Sequence, residues 1–137
     1  MGAVTFPDPK VIAFINQSVV PIRLAHDHKP LAGQFQVTWT PALVTLDAEG
    51  KEHHRTVGFL APEELIPSLL LGNAKIDFDH EDFVEALVTL EDLLKNYAKS
   101  AAAPEAIFLK GVCGYKSAHN PKSLKEAYER LARDYPD

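Results

Sequence analysis

Hydrophobic and polar positions alternate most tellingly between Val37 and Leu70, VTWTPALVTLDAEGKEHHRTVGFLAPEELIPSLL. A loop closes on Trp39-Thr40-Pro41, and the mainly apolar Ala42–Leu46 run predicts a short strand buried on both faces. Asp47-Ala48-Glu49-Gly50 supplies turn chemistry, with Gly50 free to take a positive φ. Lys51–Val57 reads as a more polar returning strand. Gly58 releases the chain, and Ala61-Pro62-Glu63-Glu64 opens a helix with proline at its first position and acids near the positive end of its dipole. Upstream, Asp8 caps a short amphipathic helix from Pro9 to Gln17 carrying Val11, Ile12 and Ile15 on one face. Val19–Ala25 is rich in β-branched residues and predicts a strand, which Pro21 confines to an edge. Pro30–Phe35 predicts another short helix.

Beyond Leu71 the period becomes helical throughout. Asp79 is placed to cap a helix whose stripe is Phe83, Ala86, Leu87, Leu90, Leu93, Leu94 and Tyr97. Residues 99–103 connect it to a helix that Pro104 starts, with Ile107, Phe108, Gly111, Val112 and Tyr115 on one side. Asn120-Pro121 opens the last helix, which carries Leu124, Ala127, Tyr128, Leu131 and Tyr135.

Composition narrows the function classes. The chain of 137 residues has a net charge of -5 and no basic run, which excludes general nucleic-acid binding. No apolar run reaches membrane-span length. MGAVTFPDPK has neither the basic nor the apolar region of a signal peptide, so a cytoplasmic protein is expected. Cys113 is the single cysteine, which leaves no CxxC pair within the chain.

The ordered string of loop, Thr-Pro step, strand, turn, strand and helix resembles the C-terminal half of a thioredoxin-like domain. TFPDPKVIAFINQSVVPIRL strengthens the resemblance, which runs from Val4 to Leu70. It implies a cis bond at Thr40-Pro41, a sheet covered by the Pro62 helix, and a CxxC helix ahead of this segment. Only Met1-Gly2-Ala3 precede Val4, so the expectation is either a coding region that begins late or a shortened relative with a three-strand sheet. The helices beyond resemble tetratricopeptide repeats: Gly72–Ala98 through Ala74, Phe83, Ala86 and Leu90, and Pro104–Pro136 through Tyr115, Tyr128 and Pro136. The resulting fold class is α/β plus α, with a shortened thioredoxin-like domain over 1–71 and helical hairpins over 72–137.

Candidate chemistry is sparse. Trp39, Thr40 and Pro41 form a peptide-binding surface if the cis-proline loop exposes its backbone to an extended chain; otherwise they are a turn in which Trp39 covers the end of the sheet. His26, His28, His53 and His54, with Asp27, offer imidazoles for a shared metal site. Without cysteine ligands or regular spacing they read better as solvated histidines at strand ends, so no metal is expected. Cys113, beside its helix's apolar stripe, reads as a small buried hydrophobe. Asp77–Asp92 holds seven carboxylates and no Lys or Arg, the pattern of a solvated helix face. A docking surface for a basic partner is the other reading of that stretch.

With no catalytic residue and no cofactor indicated, the leading expectation is a non-catalytic protein-binding or adaptor module with a protein or peptide partner. The alternative is a fragment of a thiol-disulfide oxidoreductase whose CxxC segment lies outside the chain. A slot for a missing central strand between Val19–Ala25 and Ala42–Leu46 is closed either by direct pairing of those two strands, which leaves a monomer, or from a second copy, and the second, a homodimer, is the favoured expectation.

Overall fold

The computed structural model describes residues 1–136. Its elements are α1 (Pro9–Ser18), α2 (Lys29–Gln34), β1 (Ala42–Leu46), β2 (Glu52–Val57), α3 (Pro62–Asp79), α4 (Phe83–Asn96), α5 (Ala103–Ala118) and α6 (Pro121–Asp134). This is a mixed fold in which a small sheet and α1 lie against α3, and the remaining helices continue from it.

Helix α1 begins as its sequence dictates. The Asp8 carboxylate accepts from the Lys10 and Val11 amides at 2.9 and 3.2 Å, which satisfies two of the free donors of the first turn. Val11 is fully buried, and Phe14 and Ile15 pack beside it on the core. Thr5, also buried, donates its hydroxyl to the Leu60 carbonyl at 2.5 Å and so ties the chain start to the entry of α3.

The expected three-strand sheet is corrected to two. β1 and β2 pair antiparallel, and among the described residues no third strand joins them. Val19–Ala25 leaves α1 without entering a ladder, and Val20 is 90% exposed. Pro21 lacks the N–H that a ladder needs, and β-propensity without a neighbouring strand has nothing to pack on. The burial expected for β1 on both faces is corrected too. Leu43 packs on the core and Thr45 is buried, but Leu46 is exposed. With a period of two, Leu43 and Thr45 turn to α3 while Ala42, Val44 and Leu46 turn away.

Helix α3 is buried nearly all round, from Leu65 to Gly72 and again at Ala74, because it meets the sheet and α1 as well as α4 and α5. It runs unbroken through residues 71 and 72 and ends at Asp79. Asp79 is therefore not the cap of the next helix. The chain turns at Glu81, whose φ is 65°, and Asp82 takes the N-cap position of α4. The apolar stripe continues through Phe78, which keeps α3 helical to that point. Asn120 caps α6 through its side chain, accepting from the Lys122 amide at 3.0 Å.

Successive helices pack on one another: α3 with α4, α4 with α5, and α5 with α6. Their core is Leu90, Leu93, Leu94, Ile107, Leu109 and Cys113 beside the α3 leucines. The Tyr135 hydroxyl donates to the Ala98 carbonyl at 2.9 Å, and the Glu64 carboxylate accepts from the Ala101 amide at 3.0 Å. These two bonds fasten the α4–α5 connector to both ends of the helical stack.

Candidate functional site

Two places gather exposed or chemically distinctive side chains. At the first, the Thr40-Pro41 bond is cis, and the Gly58 amide donates to the Pro41 carbonyl at 2.8 Å. This bond brings the chain entering β1 against the chain leaving β2. Trp39 is 75% exposed, so it does not cover the end of the sheet. Val57 and Phe59 are exposed as well, and Thr40 and Pro41 face solvent. β1 pairs with β2 alone, so its other edge is unpartnered among the described residues. The result is an apolar rim at one end of an open strand edge.

The second place lies at the far end of the hairpin. Asp47 opens the turn, and its carboxylate accepts from the Glu49 and Lys51 amides at 3.0 and 2.9 Å. Across the ladder Thr45 faces His54 and Leu46 faces Glu52, so His53 is an extra residue without a partner. Such a bulge re-aims its side chain. The His53 ring points into a cluster formed with the end of α3: its Nε2 lies 2.7 Å from Asp47 Oδ2 and its Nδ1 2.5 Å from Asp79 Oδ2. The His53 and Asp47 side chains are 1% and 4% exposed. His80 Nε2 stands 3.5 Å from the same Asp47 oxygen, and its ring meets that of His53 edge to face.

Each ring nitrogen of His53 faces a carboxylate oxygen, an arrangement that favours the doubly protonated imidazolium, which donates to both. The hydrogen bond that the ring donates to Asp47 raises its pKa above the ordinary imidazole value, opposed by burial and reinforced by Asp79. The same bond is the main cause that lowers Asp47 to about 2. His54 behaves oppositely. It lies over α3, with Nε2 3.4 Å from Ser68 Oγ and Nδ1 3.1 Å from Lys75 Nζ. Burial, then the Lys75 charge, pushes its pKa down.

These contacts correct the expectation of solvated histidines at residues 53 and 54. His26, His28 and Asp27 are exposed and take no part in the cluster. The sequence signal was present but ambiguous: alternation places His53 and His54 on opposite faces, and only the bulge sends both toward α3. In the sequence Asp47 signals only turn chemistry and Asp79 only a helix cap, and nothing in the pattern singles out His80. Cys113 is fully buried, and that burial pushes its thiol up to about 11. Along the acidic stretch, Asp77 is raised chiefly by burial, while Lys116 sits 5.2 Å over the Phe78 ring and 5.7 Å over that of Phe83. No helix among the described residues is long and apolar enough to cross a membrane.

Comparison with known proteins adds one finding. The pattern that defines the thioredoxin-like domain matches residues 1–72 of the 137. No curated protein and no solved structure gives a significant match.

Proposed function

The chain belongs to the thioredoxin-like domain family, and we propose that it serves as a non-catalytic protein-binding module that takes an extended peptide along the open edge of β1, beside Trp39, Thr40 and Pro41. The observation that carries this reading is the 75% exposure of Trp39 next to a strand edge with no partner. An added strand gains main-chain hydrogen bonds along such an edge, and neighbouring apolar side chains select what it carries. Trp39, Val57 and Phe59 supply that apolar surface, with a polar tip only on the indole.

The division into a thioredoxin-like part over 1–71 and tetratricopeptide-like hairpins over 72–137 belongs to the same proposal. Val84 and Val88, one turn apart on α4, and Phe108 on α5 are exposed and offer a second contact surface. An oxidoreductase whose CxxC segment lies outside the chain is the alternative, supported by the family match. Within the chain, dithiol exchange lacks its chemistry, because it needs an attacking thiolate and a resolving thiol and Cys113 is single and buried.

Trp39 is the only tryptophan, so its fluorescence reports the site directly. Titration with a panel of extended peptides rich in aromatic and β-branched residues should shift the emission to the blue. Trp39→Phe, followed by calorimetry, should retain binding, and Trp39→Ala should weaken it about tenfold or more, as for a tryptophan at the centre of an interface. Peptides that bind without perturbing the indole, or no binding across the panel, would overturn the proposed surface.

A further inference from the structure

The cluster between the hairpin and the end of α3 does more than join two elements. Asp47, His53 and His80 each turn one ligand atom inward, and those atoms lie within 4.8 Å of one another. We propose that these three residues form a binding site for a divalent transition ion of the zinc class, with Asp79 holding His53 from outside the coordination sphere.

Four observations carry the assignment. The donors are two imidazoles and one carboxylate, a set that suits zinc, nickel or copper rather than magnesium or calcium, which take oxygen ligands. The spacing fits: ligand atoms about 2.0–2.1 Å from a tetrahedral zinc ion stand about 3.3 Å apart, and Asp47 Oδ2 is 3.5 Å from His80 Nε2. The 2.7 Å between Asp47 Oδ2 and His53 Nε2 is the length of a hydrogen bond whose proton the ion replaces. Finally, His53 Nδ1 is bonded to Asp79 Oδ2. A carboxylate on the far nitrogen fixes the ring's orientation and raises the basicity of the ligating one, as it does behind histidine ligands generally.

The exchange is balanced. His53 Nε2 gives its proton to solvent and its lone pair to the ion, while Nδ1 keeps its proton on Asp79. Asp47 is already ionised, and His80 ligates through neutral Nε2. His80 and Asp79 are 45% and 46% exposed, which gives the ion a path in from solvent. Three protein ligands leave a fourth position for water or an exogenous group. The three ligands come from the turn, the bulge and the residue after α3, so a bound ion would also clamp the hairpin to the helical part.

The test uses the full chain without an affinity tag. Calorimetric titration with zinc chloride should show one ion per chain, and cobalt substitution should give the visible d–d absorption of a low-coordinate site. His80→Ala removes one ligand while leaving both His53–carboxylate bonds, so it should fold normally by circular dichroism and bind zinc at least tenfold more weakly. The double variant His26→Ala/His28→Ala should bind as wild type does. Nitrogen shifts of the imidazoles give a second reading that needs no variant: His53 Nε2 and His80 Nε2 should move on zinc addition, and His119 should not. Equal affinity in wild type and His80→Ala, loss of binding in the His26→Ala/His28→Ala variant, or no zinc binding by wild type would each overturn the proposal.

Discussion

At the scale of single residues, His53 and His54 are adjacent in sequence and opposite in charge preference. His53 is held as an imidazolium by Asp47 first and Asp79 second, with His80 the other titratable group against it. Its pKa is raised in the folded chain, so its contribution to stability is complete below the ordinary value of 6.5 and is lost as pH climbs through the raised one. Asp47 reports the same pair from the acid side: its contribution is complete above 3.8 and is lost as pH falls through about 2. His54 is pushed down by burial and Lys75, with Glu105 opposing, so its contribution is complete above 6.5 and lost as pH falls through its lowered value. In buffer with a metal chelator, thermal melts of wild type and His53→Gln should therefore differ most at mildly acidic pH and converge as pH rises. A gap that widens with rising pH would show that the ring is not held charged. His54→Gln should show the reverse trend, its difference from wild type shrinking as the medium becomes acidic.

At the scale of elements, three glycines set how closely neighbours approach. A Cβ at Gly111 would stand 2.5 Å from the Ala127 Cβ and 3.1 Å from the Ser123 carbonyl oxygen, so α5 and α6 meet almost backbone to backbone. Gly114 meets Ser123, and Gly72 on α3 meets Thr45 on β1, in the same way. Gly111→Ala gains about 1 kcal/mol of helix propensity, but overpacking of a close contact costs about 1–3 kcal/mol, and here the neighbour includes backbone that cannot swing aside. Denaturant unfolding should show Gly111→Ala less stable than wild type, with Ala127→Gly in the same chain recovering part of the loss. Gly33→Ala, in α2 with nothing near its Cβ, should be neutral or stabilising. An equal gain at both positions would mean that α5 and α6 do not pack this closely.

These close approaches also mark how far the elements were legible beforehand. Caps and helix-opening prolines at Asp8-Pro9, Pro62 and Asn120-Pro121 act through local backbone geometry, which is why reading residues in order placed them. The third strand failed because a strand exists only through its neighbour, and Val19–Ala25 has none. The His53 cluster was hidden for a related reason. A bulge depends on the register of two strands, and period-two alternation read along one of them points His53 the wrong way.

At the scale of the whole molecule, the open edge of β1 runs from the exposed Trp39, Val57 and Phe59 at one end of the hairpin to the exposed Leu46 beside the turn at the other, while α3 covers one face of the sheet. Edge backbone groups in water are hydrated, so the cost of about 1–3 kcal/mol for a buried unpaired group does not apply to them. The drive to cover this edge is therefore apolar area, at roughly 25 cal/mol for each Å² buried. When no peptide is present, a second copy can cover it edge to edge, around a two-fold axis that places β1 against β1. β1 has five residues, so the shared surface falls at the small end of specific interfaces, and self-association should be weak, on the order of micromolar. Light scattering across a dilution series should show dimer giving way to monomer. Leu46→Lys should shift that balance to monomer without opening the hairpin, because Leu46 faces Glu52 across the ladder and an opposite charge there supports the pair. A lysine on an edge strand discourages pairing with another chain. A monomer at every concentration would rule out self-association and leave the edge to a different partner, whereas a dimer indifferent to Leu46→Lys would place the contact elsewhere, with the exposed Val84, Val88 and Phe108 of the helical part the next surface to probe.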